Sequence, residues 1–203
     1  MLIALYSSTL GSGKSTVANF LVQSHGFALL SFASPIKSMT NVLLTEFGYS
    51  PDEAYHMTHV TKNAPVPELA STIDVRQLLQ TLGTEWGRQC IHPDIWLRCW
   101  LSRYLVLSAD GATNIVVDDV RFENEASLIS RLGGHLWKVE RPNEASMSTH
   151  SSEGGLDHLR HFDDPSNDYS IAFSTIINNN NSIEDLHRKL NVELAILNAN
   201  QGA

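Results

Sequence analysis

The chain has 203 residues, 42% of them hydrophobic and 18% charged, with a formal net charge of -8. That is enough chain to bury the core of one α/β domain, and its acidity opposes non-specific adhesion to a polyanion such as DNA. The most apolar helical stretch, residues 95–107, carries Arg98 and Arg103 and does not read as a membrane span.

The N-terminus lacks the basic start of a secretion signal, and Cys90 and Cys99 have no metal-ligand spacing, which predicts reduced thiols in a cytoplasmic protein. The first motif follows at once. The apolar run Leu2-Ile3-Ala4-Leu5-Tyr6 breaks into Ser7-Ser8-Thr9-Leu10-Gly11-Ser12-Gly13-Lys14-Ser15-Thr16, and a helical pattern continues from Val17. This is the strand, phosphate loop and helix of a P-loop nucleotide-binding protein. Small residues let successive backbone N–H groups curl around a phosphate. The next helix turns its positive end toward the same anion. Gly11, Ser12, Gly13, Lys14, Ser15 and Thr16 are thus the candidates to hold the phosphates of a nucleotide. Lys14 would reach the β- and γ-phosphates, and the Ser15 hydroxyl would ligate Mg²⁺. Ser8 stands where the motif usually has its first glycine. That exchange costs little at a negative φ and more at a positive one.

Residues 27–32 predict a buried strand, and Ser34-Pro35 predicts an N-cap and first helical position for a helix over 36–47 ending at Gly48. Lys37 lies in the first turn of that helix, where the dipole disfavours a cation, which makes it a candidate ligand group. Residues 49–72 have no clear period and hold Pro51, Pro65 and Pro67, so they predict an irregular or lid-like insertion. Asp74 reads as the cap of a helix whose apolar face is Val75, Leu78, Leu79 and Leu82, ahead of Gly83. Arg76 and Gln80 are four apart on the other face and could grip a phosphate and a base, with Arg88 beyond. Another helix covers 95–107.

The strand over 114–119 ends in Asp118-Asp119, as a Walker B element requires, with Asp119 as the carboxylate for Mg²⁺. A helix with Leu128, Ile129 and Leu132, then a strand over 135–140, follow. The polar stretch 143–168 reads as a lid. A last strand over 171–177 runs into an asparagine tract, and Ser182 caps a helix over 186–197. Strands alternating with helices predict a three-layer α/β P-loop NTPase fold, with a mostly parallel five-stranded sheet and helical or lid insertions. The whole chain reads as one such domain, with residues 49–92 as a substrate-binding insertion.

Several segments narrow this further. Phe32-Ala33-Ser34-Pro35-Ile36-Lys37, the long stretch from Val75 to Arg88, Asp119-Val120-Arg121-Phe122-Glu123-Asn124-Glu125-Ala126 and His150-Ser151-Ser152-Glu153 occur in that order behind the P-loop. Together they resemble the phage-type deoxynucleoside monophosphate kinases. The resemblance implies transfer of the ATP γ-phosphate to a deoxynucleoside 5'-monophosphate, with Mg²⁺, in a phage-infected bacterial cytoplasm. It implies that Ser34, Lys37, Arg76, Gln80 and Arg88 face the monophosphate. Lys14, Asp119, Arg121, Arg141 and Arg160 would serve catalysis, with Ser15 and Asp119 on the metal. Ser34 departs from the family motif, which usually has aspartate there.

Two other readings follow from the same residues. A related P-loop kinase could phosphorylate a hydroxymethylated pyrimidine in phage DNA, though an acidic chain suits a polymer substrate poorly. A P-loop ATPase or switch acting on a protein partner is the other. The sequence leaves the preferred base and a homodimer open, and it implies no membrane partner.

Overall fold

A computed structural model describes residues 1–9, 11–141, 155–164 and 171–201. The chain divides into two compact units, Met1–Ser31 with Val106–Ala203, and Phe32–Leu105.

The first unit is built on a five-stranded sheet. Its strands are β1 (Leu2–Tyr6), β2 (Ala28–Leu29), β5 (Ile115–Val117), β6 (His135–Glu140) and β7 (Thr175–Asn178). Their order is β2-β5-β1-β6-β7, and every pairing is parallel. Parallel neighbours need crossovers, which the helices supply. Odd-numbered Ile3 and Leu5 of β1 join Val116, Trp137, Val139 and Ile177 in one apolar cluster. Val17, Ala18 and Leu21 of α1 (Lys14–His25) and Leu186, Leu190 and Leu194 of α7 (Ile183–Gln201) close that cluster. Even-numbered β1 residues point to the opposite face, where α6 (Glu123–Arg131) packs on β1 and β6. Two helical layers therefore sandwich a parallel sheet, as the alternation predicts. β2 and β7 are shorter than expected. Phe173, ahead of β7, makes only an isolated bridge to His161.

The second unit holds α2 (Ser34–Glu46), α3 (Pro51–His59), the ribbon β3 (Pro65–Val66) with β4 (Ala70–Asp74), and α4 (Val75–Thr81). Here the expectations need correction. Residues 49–72 are not irregular. Ser50 opens α3 through a reciprocal cap: its hydroxyl accepts from the Glu53 N–H at 3.3 Å, and the Glu53 carboxylate accepts from the Ser50 N–H at 2.8 Å. Pro51 takes the first turn, where its missing N–H costs nothing. Ser34 is not a cap. It is the first residue of α2, whose capping position is Ala33 with no side-chain hydrogen bond.

After Asp74 the chain is helical past Gly83. Asp74 caps α4 as expected, accepting from the Gln77 N–H at 2.8 Å. The chain then continues as a π-helical segment, Leu82–Ile91. Helix α5 (Ile95–Ala109) follows, and its Trp96 explains the glycines. The indole Nε1 donates to the Gly83 carbonyl at 2.7 Å, and its ring fills the space beside Gly87. No helix among the described residues is long and apolar enough to cross a membrane.

Candidate active site

In the first unit, β1 delivers the chain into the loop that precedes α1. Gly11 (φ 75°) and Gly13 (φ 98°) both take left-handed conformations, and Lys14 opens the helix. The Gly13 carbonyl accepts from the Val17 N–H at 3.0 Å, so the loop passes directly into helical bonding. Lys14 and Thr16 are half-buried and Ser15 is exposed. No non-glycine among the described residues has a positive φ. Ser8 therefore sits where a side chain is tolerated, and the missing glycine carries no backbone strain.

Strand β5 runs beside β1, with Val117 level with Ala4. Asp118 and Asp119 follow at the same C-terminal edge from which the loop springs, where ligands of such sheets gather. Both are half-buried. Ser31 Oγ donates to Asp118 Oδ1 at 2.5 Å, so a second carboxylate beside the predicted Asp119 is held in place.

Arg121 lies just past this edge, and its backbone is fixed from two sides. Glu125, 2% exposed, accepts from the N–H groups of Arg121 and Phe122 at 2.8 and 3.1 Å. Gly155 lies so close that an added Cβ would be 2.5 Å from the Arg121 carbonyl oxygen. The neighbouring turn is tied to the base of the phosphate loop. Tyr6 OH donates to Asp157 Oδ1 at 2.8 Å, and the Tyr6 ring stacks on Phe173. His158 Nε2 is 3.0 Å from Glu123 Oε1.

Arg141 follows β6 and donates from Nη1 to the Gly11 carbonyl at 3.3 Å, which puts it on the loop's backbone. Arg160 is exposed, with its carbonyl accepting from the Phe173 N–H at 2.9 Å. Asn179 follows β7 and reaches the Ser12 carbonyl. Most of residues 143–168, read as a lid, lies outside the described residues.

The second unit gathers the residues expected to face the monophosphate. Arg76 and Gln80 lie one turn apart on α4, both half-buried. Arg76 Nε donates to Asn63 Oδ1 at 2.9 Å. Arg88 lies in the π-helical segment and donates from Nη1 to the Pro93 carbonyl at 3.1 Å. Ser34 and Lys37 occupy the first turn of α2, which packs against α4.

Sequence reasoning missed Asp118, Glu125, Tyr6 and Asn179 as parts of the site. Glu125 had a signal, an acid in the first turn of a predicted helix. Asn179 had none, since an asparagine after a strand usually marks only a turn.

A family model described as deoxynucleotide monophosphate kinase matches residues 44–190. This chain belongs to the deoxynucleotide monophosphate kinase family. The match contains α4, the π-helical segment and the Asp119-to-Ala126 stretch. A relative from Acanthamoeba polyphaga mimivirus is 32% identical in an alignment of 190 positions that covers 89% of each chain. The deoxynucleotide monophosphate kinase of Enterobacteria phage T4 is 25% identical over 180 residues, 87% of this chain and 66% of that relative. Among solved structures, a dephospho-CoA kinase from Campylobacter jejuni aligns over 98% of both chains at 18% identity with a TM-score of 0.47, too distant to add to the fold described above.

Proposed function

We propose that this family member transfers the γ-phosphoryl group of ATP to a deoxynucleoside 5'-monophosphate, giving the diphosphate and ADP. The observation that carries the reading is the intact Gly13-Lys14-Ser15 loop at the end of β1, in a chain of this family. An oxygen of the acceptor's phosphate forms the new bond to the γ-phosphorus, and the bond from that phosphorus to the β–γ bridging oxygen breaks. The attacking oxygen is already anionic, so no strong base is required. Catalysis is alignment and charge neutralisation.

Lys14 follows the charge from the γ-phosphate to the β–γ bridge as that bond breaks. Backbone N–H groups of the loop hold the phosphates, supported by the positive end of α1. Arg121 and Arg160 stand as neutralising cations. Arg76, Gln80 and Arg88, in the 49–92 segment, hold the acceptor, with Ser34 and Lys37 beside them. The donor set suits Mg²⁺: an exposed hydroxyl at the helix start, Ser15, and hard carboxylates at the β5 edge, Asp118 and Asp119. Magnesium would screen the phosphate charge there. Phosphorylation of modified DNA and a partner-driven ATPase are not favoured by any of these observations.

Incubation with Mg-ATP and single deoxynucleoside monophosphates, with products separated by ion-exchange chromatography, tests the reading. ADP and the deoxynucleoside diphosphate should accumulate in equal amounts. ADP formed without any diphosphate of the acceptor would contradict it.

A further inference from the structure

We propose that Asn179 is a positioning residue for the phosphate loop, acting by turning the Gly13 N–H toward the phosphates. The inference rests on the reading that this loop holds ATP. Asn179 follows β7 and is 7% exposed. Its own N–H donates to the Glu140 carbonyl at 2.7 Å, which ties it to the end of β6. Its side-chain Nδ2 donates to the Ser12 carbonyl at 2.9 Å, and Ser12 is 1% exposed.

The peptide geometry gives this bond a consequence. There is no cis peptide among the described residues, so the Ser12–Gly13 unit is trans. Its C=O and N–H then point in opposite directions. Holding the carbonyl toward Asn179 turns the Gly13 N–H away from Asn179. Arg141 does the same one residue earlier through its bond to the Gly11 carbonyl at 3.3 Å. Two successive carbonyls are thus bound from the ends of β6 and β7, leaving two successive N–H groups on the other side. That is the arrangement of an anion-binding nest. The amide is also packed tightly under the loop: a Cβ at Gly13 would lie 2.3 Å from Asn179 Nδ2. Gly13 is required at φ 98°, and Asn179 occupies the room a side chain would need.

The test uses Asn179→Ala and Asn179→Asp in the full chain. The aspartate is nearly isosteric but presents an acceptor to the Ser12 carbonyl, where the amide presents a donor. Mg-ATP affinity is measured by calorimetry, and KM for the deoxynucleoside monophosphate by turnover. Both variants should weaken ATP by about tenfold or more while the acceptor KM moves by less than about twofold. Unchanged ATP affinity in folded Asn179→Asp, or equal losses for both nucleotides, overturns the proposal. Should neither variant fold, the side-chain amide resonances of Asn179 in ¹⁵N-labelled wild type decide. They should shift on adding Mg-ATP and stay still with the monophosphate; no shift with ATP overturns the proposal. Wild-type protein that binds ATP yet phosphorylates no monophosphate would refute the kinase reading alone.

Discussion

The Trp96 indole donates to the Gly83 carbonyl at 2.7 Å while its ring lies where a Cβ on Gly87 would come within 2.4 Å. The same side chain therefore uses the absence of one side chain and the backbone of another residue. The π-helical segment carries Arg88 and follows directly from the helix that carries Arg76 and Gln80. Gly87→Ala should displace Trp96 and cost about 1–3 kcal/mol by overpacking. Trp96→Phe should cost about 1–3 kcal/mol, because the buried Gly83 carbonyl loses its partner. Denaturant unfolding of the two variants measures both costs. Wild-type stability in Gly87→Ala would show that the ring is not held there.

Glu125 is a buried acid that is paired through backbone N–H groups. Glu125→Ala should destabilise the start of α6 by about 0.5–2 kcal/mol, the range for a lost cap. Glu125→Gln keeps an accepting oxygen and should lose less. Thermal unfolding of the pair checks the order, and equal losses would assign the effect to charge.

His135 opens β6 opposite Ile3. Burial pushes its imidazole below 6.5, and the N-terminal ammonium adds to the shift. The unfolded chain takes up this proton near 6.5 and the folded chain only at lower pH. The contribution to stability is therefore complete above 6.5 and is lost as pH falls toward the folded value. His135→Gln should flatten the dependence of stability on pH in that window. Urea titrations from about pH 5 to 8 measure the slope, and an unchanged slope would remove His135 as its source.

The phosphate loop and the parallel α/β sheet were legible because their signals are local. Gly11, Gly13 and Lys14 follow an apolar strand, and alternating strands and helices imply a parallel sheet. The cap at Asp74 was legible for the same reason. The π-helical segment was not. A hydrophobic period does not announce a π-helical turn, and the partner of the Gly83 carbonyl is a tryptophan 13 residues away. Helix α3 was obscured because Pro51, Pro65 and Pro67 made the whole stretch 49–72 look irregular, although Ser50 and Glu53 carry the spacing of a capping box. Asn179 lies 167 residues from the carbonyl it binds. Only the strand order, which puts β6 beside β1 and β7 beyond it, brings that partner to the loop.

On the proposed function, Lys14 and its loop serve phosphoryl transfer to a free deoxynucleotide. A coupled ADP-release assay tests it most directly. Wild type and Lys14→Ala would be compared with Mg-ATP across the common deoxynucleoside monophosphates, 5-hydroxymethyl dUMP and dCMP, and hydroxymethyluracil-containing DNA. Turnover is expected on at least one free monophosphate, reduced on the order of a hundredfold or more in Lys14→Ala. Turnover confined to the modified DNA, or ADP release independent of any acceptor, would contradict it.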